Sequence, residues 1–207
     1  MLRFSQAANA LLRDGAKFDP WALSWLPCED RPPDARETTP LDAVAWLFSQ
    51  PKARRVPVGV IGPKSASARQ MDVAVLVGRR LGELGVAMIT GGRSGVMEAA
   101  SRGNLEAGGR PIGILPGDEW TEANPYVAIP LATGLGPARN AVLARAAVAL
   151  IAIGGEYGTL SEMAFGLHFD RLVIALEDTP EVTGALRCPD VETALERVAR
   201  RILALDG

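Results

Sequence analysis

From residue 56 onward, short apolar runs alternate with longer amphipathic stretches, and glycine or a turn residue follows most of the runs. The runs fall at residues 56–61, 86–89, 112–115, 148–153 and 172–176. Each has the length of a strand, and unbroken apolar character means that both of its faces are covered. Residues 68–84, 95–107, 137–145 and 159–167 carry helical patterning between them, and residues 190–203 close the chain as an amphipathic helix. Gly85 and the Gly108-Gly109 pair are natural helix stops. A further short strand is expected over residues 126–131. Strands alternating with helices demand parallel pairing, with the connecting helices laid on both faces of the sheet. The expected fold class is therefore α/β, a Rossmann-like three-layer doubly wound parallel sheet over residues 56–207.

Residues 1–55 do not share this pattern. Prolines 20, 27, 32, 33, 40 and 51 punctuate them, and short helices are expected at residues 5–13 and 41–50. Trp21, Trp25, Leu26 and Trp46 need burial, so this extension is expected to pack on the domain or on a subunit partner rather than trail as a tail.

Composition narrows the class of function. Of 207 residues, 48% are hydrophobic and 22% charged, which is a globular balance. The net charge of −2 argues against a general nucleic-acid surface. Cys28 and Cys188 form no CxxC pair, and His168 is the sole histidine, so no disulfide framework or metal site is expected. The N-terminus lacks a signal-peptide core and no apolar run approaches bilayer length, so a cytoplasmic location is expected.

In an open parallel sheet, ligands bind beyond the carboxyl ends of the strands, where loops lead into helix N-termini. Three glycine-containing loops fall there: Gly62-Pro-Lys-Ser-Ala-Ser67, Gly91-Gly-Arg-Ser-Gly-Val-Met97 and Gly154-Gly-Glu-Tyr-Gly-Thr159. Glycine permits close backbone approach, and the free N–H groups that open each helix favour phosphate. Thr159 can add a hydroxyl, and Arg93 or Arg139 can neutralise charge. None of the loops fits the dinucleotide fingerprint G-x-G-x-x-G or the Walker sequence G-x-x-x-x-G-K-[ST].

Taken in order, Gly91-Gly-Arg-Ser-Gly-Val-Met-Glu98, Ala123-Asn-Pro-Tyr126, Thr133-Gly-Leu-Gly136, Ala138-Arg-Asn140 and Gly154-Gly-Glu-Tyr-Gly-Thr-Leu-Ser-Glu162 resemble the LONELY GUY (LOG) superfamily. More narrowly, they are similar to its bacterial branch related to the molybdenum-cofactor carrier proteins. The resemblance runs from about residue 56 to residue 176. Its catalytic members remove the base from nucleoside 5′-monophosphates, with an arginine and a glutamate that fall here on Arg139 and Glu162. The implied roles are charge neutralisation and orientation by Arg139, and stabilisation of a ribosyl cation or positioning of water by Glu162. Two departures stand out: Gly154 replaces the hydrolases' proline, and Glu156 replaces a glycine beside the phosphate loop, where its charge would repel a phosphate.

The candidate ligand-binding residues are Gly62, Ser65, Gly91, Gly92, Arg93, Gly95, Met97, Thr133, Gly134, Asn140, Gly155, Gly158 and Thr159. Two functions remain open. One is binding of a phosphorylated nucleotide-like or pterin-like molecule, with a nucleotide or molybdenum cofactor as ligand and no required cofactor. The other is nucleoside 5′-monophosphate phosphoribohydrolase activity. A lysine-decarboxylase reading would need a lysine for pyridoxal phosphate, and only Lys64 lies near a ligand loop. The resemblance also implies a homodimer or larger homo-oligomer, while charge and apolar run length lead to the expectation of no nucleic-acid and no membrane partner.

Overall fold

The computed structural model describes residues 1–206. The chain forms two compact units, one of residues 1–55 joined by the chain from Leu195 onward, the other of Val56–Ala194.

The first unit is built on an antiparallel sheet. Strands β1 (Leu2–Ser5), β2 (Ala10–Arg13), β3 (Ala16–Asp19), β4 (Ser24–Pro27) and β5 (Arg36–Glu37) lie in the order β4-β3-β2-β1-β5. The helix expected at residues 5–13 is thus a hairpin. Arg13 pairs with Ala16 across Asp14 and Gly15, whose φ angles of 40° and 81° match the type I′ geometry that an Asp-Gly pair favours. Asn9 turns the chain the same way at φ 44°. The alanine-rich composition of this stretch was outweighed by turn chemistry.

The second expected helix forms as α1 (Pro40–Ser49), with Thr39 capping Asp42 N–H and Pro40 in the first turn. The tryptophans divide. Trp25 packs edge-on against Phe18 and donates its indole N–H to the Leu203 carbonyl at 2.7 Å. Trp46 packs against Phe4 and donates to Asn9 Oδ1. Trp21 and Leu26 remain exposed, contrary to expectation, and Trp21 is covered on one face by the Arg54 guanidinium.

The second unit holds a seven-stranded, wholly parallel sheet. Its strands are β6 (Val58–Ile61), β7 (Met88–Thr90), β8 (Ile112–Leu115), β9 (Ile129–Ala132), β10 (Ala149–Ile153), β11 (Leu172–Leu176) and β12 (Leu186–Arg187). Their order is β12-β11-β10-β6-β7-β8-β9. The α/β doubly wound expectation holds. The sheet grows from β6 toward β9 on one side and from β10 toward β12 on the other, so the winding reverses between β6 and β10. Crevices at such reversals are where open α/β sheets bind ligands.

Helices α2 (Ala68–Glu83) and α3 (Val96–Glu106) pack together, as do α4 (Arg139–Ala146) and α5 (Tyr157–His168); α6 (Val191–Ile202) follows β12. A capping box fixes the start of α2: Ser67 accepts from Gln70 N–H, while Gln70 accepts from Ser67 N–H. Three details differ from the sequence reading. The strand expected at 126–131 lies at 129–132, because Asn124 ties its own loop down through Gly92 and Arg93 carbonyls. The helix expected from residue 137 begins as a 3₁₀ turn at Gly136–Ala138. β12 was not anticipated, being only two exposed residues. The core beneath the site comprises Ile61, Ile89, Ile114, Leu143, Leu150, Met163 and Val173.

Candidate functional site

The loops after β6 and β10 flank the winding reversal, and side chains from α3, α4 and α5 close the space between them. A cavity of about 230 Å³ results, lined by Gly62, Pro63, Lys64, Met97, Arg139, Asn140, Glu156, Gly158, Thr159 and Glu162. Its chemistry centres on one ion pair. Arg139 Nη1 donates to Glu162 Oε1 at 2.9 Å, and the two side chains are only 9% and 7% exposed. Gly91 makes room for this pair: a Cβ at that position would fall within 2.6 Å of Arg139 Nη1 and 2.7 Å of Cζ. Asn140, the next residue on α4, donates to Ser161 Oγ at 2.7 Å and to the Gly158 carbonyl at 3.3 Å, which moors α4 to the first turn of α5.

Burial sets the electrostatics. Withdrawing both charges from water penalises each charged form, and the guanidinium retains its proton regardless. The carboxyl therefore yields: burial pushes Glu162 up from 4.5 to about 7, against the opposing pull of Arg139. The folded protein holds this proton more tightly than the unfolded chain. Its stabilising contribution is complete below pH 4.5 and is lost as pH rises through 7. Wild-type stability is expected to fall between pH 5 and pH 8, by on the order of 3 kcal/mol, relative to Glu162→Gln. Paired denaturant titrations at the two pH values measure this, and a wild type that tracks the glutamine variant would rule it out.

Two residues that line the cavity each bury a polar atom with no hydrogen-bond partner, Arg139 Nε and Thr159 Oγ1. Such groups are costly to bury alone and ordinarily find a partner. The N-terminus of α5 adds to the same demand, since no side chain caps it. A donor set of guanidinium, hydroxyl and helix N–H groups suits an oxyanion.

The candidates from the sequence thus separate. Gly62, Met97, Arg139, Asn140, Gly158, Thr159 and Glu162 share the cavity. Gly91 supports Arg139 from behind. Gly92 and Gly95 shape the second loop at φ 69° and 70°, and Gly95 nestles against the Pro63 and Lys64 carbonyls. Gly155 sits against Pro180 and Thr159. Arg93 lies outside the cavity wall, ion-paired with Glu122 at 2.6 Å. Thr133 is engaged with the Leu115 carbonyl, Gly134 faces Asp118, and Ser65 is exposed; these three are also outside the wall. Lys64 and Pro63 join the cavity without having been singled out as ligand contacts. Their place in the Gly62-Pro-Lys loop that follows the first strand was the available signal.

A sequence profile of the SLOG cluster4 family matches residues 55–199. The chain belongs to the SLOG cluster4 family. This SLOG cluster4 protein is similar to the molybdenum cofactor carrier protein of Chlamydomonas reinhardtii, at 34% identity and a TM-score of 0.66, covering 73% of this chain and 99% of that one. It is similar also to the molybdenum cofactor binding protein of Rippkaea orientalis, at 32% identity and a TM-score of 0.66, covering 70% and 96%. The cytokinin riboside 5′-monophosphate phosphoribohydrolase LOG of Oryza sativa subsp. japonica is 33% identical over 114 residues, which are 53% of this chain and 47% of that protein. The resemblance read from the loop motifs is therefore borne out for the SLOG cluster4 chain. Among its described residues, no helix is long and apolar enough to cross a membrane.

Proposed function

We propose that this protein binds a phosphorylated pterin-like or nucleotide-like small molecule in the cavity between the β6 and β10 loops, as a carrier would. The observation that carries this reading is that two cavity-lining residues, Arg139 and Thr159, each bury a polar atom, Nε and Oγ1, that has no hydrogen-bond partner. Phosphate oxygens would satisfy both, assisted by the uncapped N-terminus of α5 and the positive charge of Lys64. The similarity to proteins named for binding or carrying the molybdenum cofactor supports a phosphorylated pterin as cargo.

A second reading is phosphoribohydrolase chemistry. Its support is Glu162, whose buried carboxyl titrates near neutral pH beside Arg139. In that reaction the bond between the base and the sugar carbon breaks, its electron pair leaves with the base, which gains a proton, and water adds to the sugar carbon, so positive charge grows on the ribose in the transition state. A carboxylate at Glu162 would stabilise that charge more in the transition state than in the ground state.

Incubating the protein with AMP and GMP, while following free base and ribose 5-phosphate by chromatography, separates the two. Release that vanishes in Glu162→Gln establishes hydrolysis. Binding of a nucleotide or of 6-hydroxymethylpterin phosphate by calorimetry without release establishes a carrier, and an absence of release and of all binding would overturn the reading of this cavity.

A further inference from the structure

Two cations and two carboxylates share the cavity: among the described residues, the charged groups that line it are Lys64, Arg139, Glu156 and Glu162. With all four ionised the lining carries no net charge. A phosphate monoester brings about −1.5 to −2 at pH 7, so its arrival leaves an excess of negative charge. Protonating one carboxylate removes part of that excess, and burial decides which one. Glu156 is exposed and keeps its water, whereas Glu162 is buried together with Arg139. Like charge is felt most where water is excluded.

The surroundings of Glu162 leave the proton to that carboxyl. Helix α4 and strands β10 and β11 pack against α5. Both strands are apolar throughout. Helix α4 carries two arginines, Arg139 bonded to Glu162 and Arg145 lying over the Phe169 ring. From α3 the cavity receives Met97, which is uncharged. On α5 itself Tyr157 is exposed, and His168 closes the helix at the end away from the cavity. Arg93 is paired with Glu122. Glu162 can take the proton without losing its arginine. Protonated on the other oxygen, it still accepts from Arg139 Nη1 through Oε1. It also gains an O–H donor where the carboxylate had acceptors alone.

We propose that binding of a phosphorylated ligand is coupled to uptake of one proton from solvent by Glu162, so that the ligand is held more tightly as pH falls and released as pH rises. The proposal rests on the reading of the cavity as a phosphorylated-ligand site.

The free carboxyl sets the working range, since burial pushes it up to about 7. Well below that pH it is already protonated and binding takes up nothing. Above it the free protein is ionised while the bound protein is not, and affinity falls until the bound form ionises too. The second ionisation of the ligand's own phosphate, at about 6, lies below this range.

Calorimetry on the full chain at pH 8, in two buffers of different ionisation enthalpy, counts the protons taken up. The probes are ribose 5-phosphate, AMP and 6-hydroxymethylpterin phosphate; the pterin's ring ionisation is common to wild type and variants and cancels between them. The wild type is expected to take up about half a proton or more per ligand, and to lose ~10-fold in affinity between pH 7 and pH 8.5. In Glu162→Gln the uptake should vanish and the affinity stay level over the same range, while Glu156→Gln should keep both effects. Binding without uptake by the wild type, uptake that persists in Glu162→Gln, or uptake lost in Glu156→Gln overturns the proposal alone. The wild type and Glu156→Gln decide it even where Glu162→Gln does not fold. Failure of every probe to bind overturns the phosphorylated-ligand reading, and this proposal with it.

Discussion

Arg139→Ala is expected to weaken binding of a nucleoside or pterin monophosphate about 100-fold, the upper range of one charge-assisted hydrogen bond at ~1.5–3 kcal/mol. The argument begins with position. The residue starts α4, immediately after the 3₁₀ turn at Gly136–Ala138, and its guanidinium lies against Gly91 and Glu162. Only one of its nitrogens is bonded to Glu162, and Nε has no partner. The truncation also leaves Glu162 buried without its cation. Breaking a buried pair from one side costs ~3–5 kcal/mol when the remaining charge cannot be neutralised.

Here neutralisation is available, because burial already pushes the Glu162 carboxyl up to about 7 and removing Arg139 raises it further. The stability loss should therefore be small at pH 6 and large at pH 8. Calorimetric affinity and thermal melts at both pH values check the two halves separately. A folded Arg139→Ala protein with wild-type affinity would remove this residue from the ligand site. Arg139→Lys should keep much of the stability yet recover little affinity, since an ammonium does not reproduce the planar fork of donors.

The second large effect lies away from the cavity. Gly78→Val should destabilise the fold by ~4 kcal/mol, from overpacking and a lost buried hydrogen bond together. At Gly78 the backbones of α2 and α3 touch: a Cβ there would collide with the Ala100 carbonyl oxygen and lie 2.8 Å from its carbon. Gly103 on α3 meets the Val75 carbonyl in the reciprocal way. The close approach also lets Asn104 Nδ2 reach the Gly78 carbonyl at 3.1 Å in the interior. Ordinary helix propensity favours valine over glycine by ~0.4 kcal/mol, so the direction of the result decides between local preference and packing. Against a total stability of ~5–15 kcal/mol, the expected loss is a large fraction and easily read in a urea titration. Gly158→Ala is the control, because its added methyl meets nothing within 4 Å and should leave stability unchanged or slightly raised. A Gly78→Val protein with a wild-type midpoint would mean that the helices do not meet there through their backbones.

Much of the second unit was legible because its signals are local. An apolar run such as residues 148–153 can be buried on both faces only as a central strand, and β10 is that strand. The residues Ser67 and Gln70 carry the whole of the α2 capping box within four positions. The misread segment at residues 5–13 also held a local signal, the Asp14-Gly15 turn, which helix-favouring alanines obscured. Trp21 and Leu26 could not be told from Trp25 by composition. Their difference depends on partners far along the chain, such as the Leu203 carbonyl that accepts from Trp25.

The sequence by itself determined the alternation of strands and helices, the glycine-bearing loops at strand ends and the motif order that marks the SLOG relatives. Each of these rests on neighbours within a few residues, through periodicity, capping or backbone freedom. Only the tertiary structure decided that Arg139 and Glu162, 23 residues apart, close to 2.9 Å in a buried setting, while Ser65, Thr133 and Gly134 stand outside the same cavity. It likewise brought Lys64 and Glu156 into the lining of one cavity. The physical reason is the placement of β6 beside β10, which sets which loops face each other and which charges lose their water. Desolvation and close approach are properties of that neighbourhood in space, and residue order along the chain does not specify them locally.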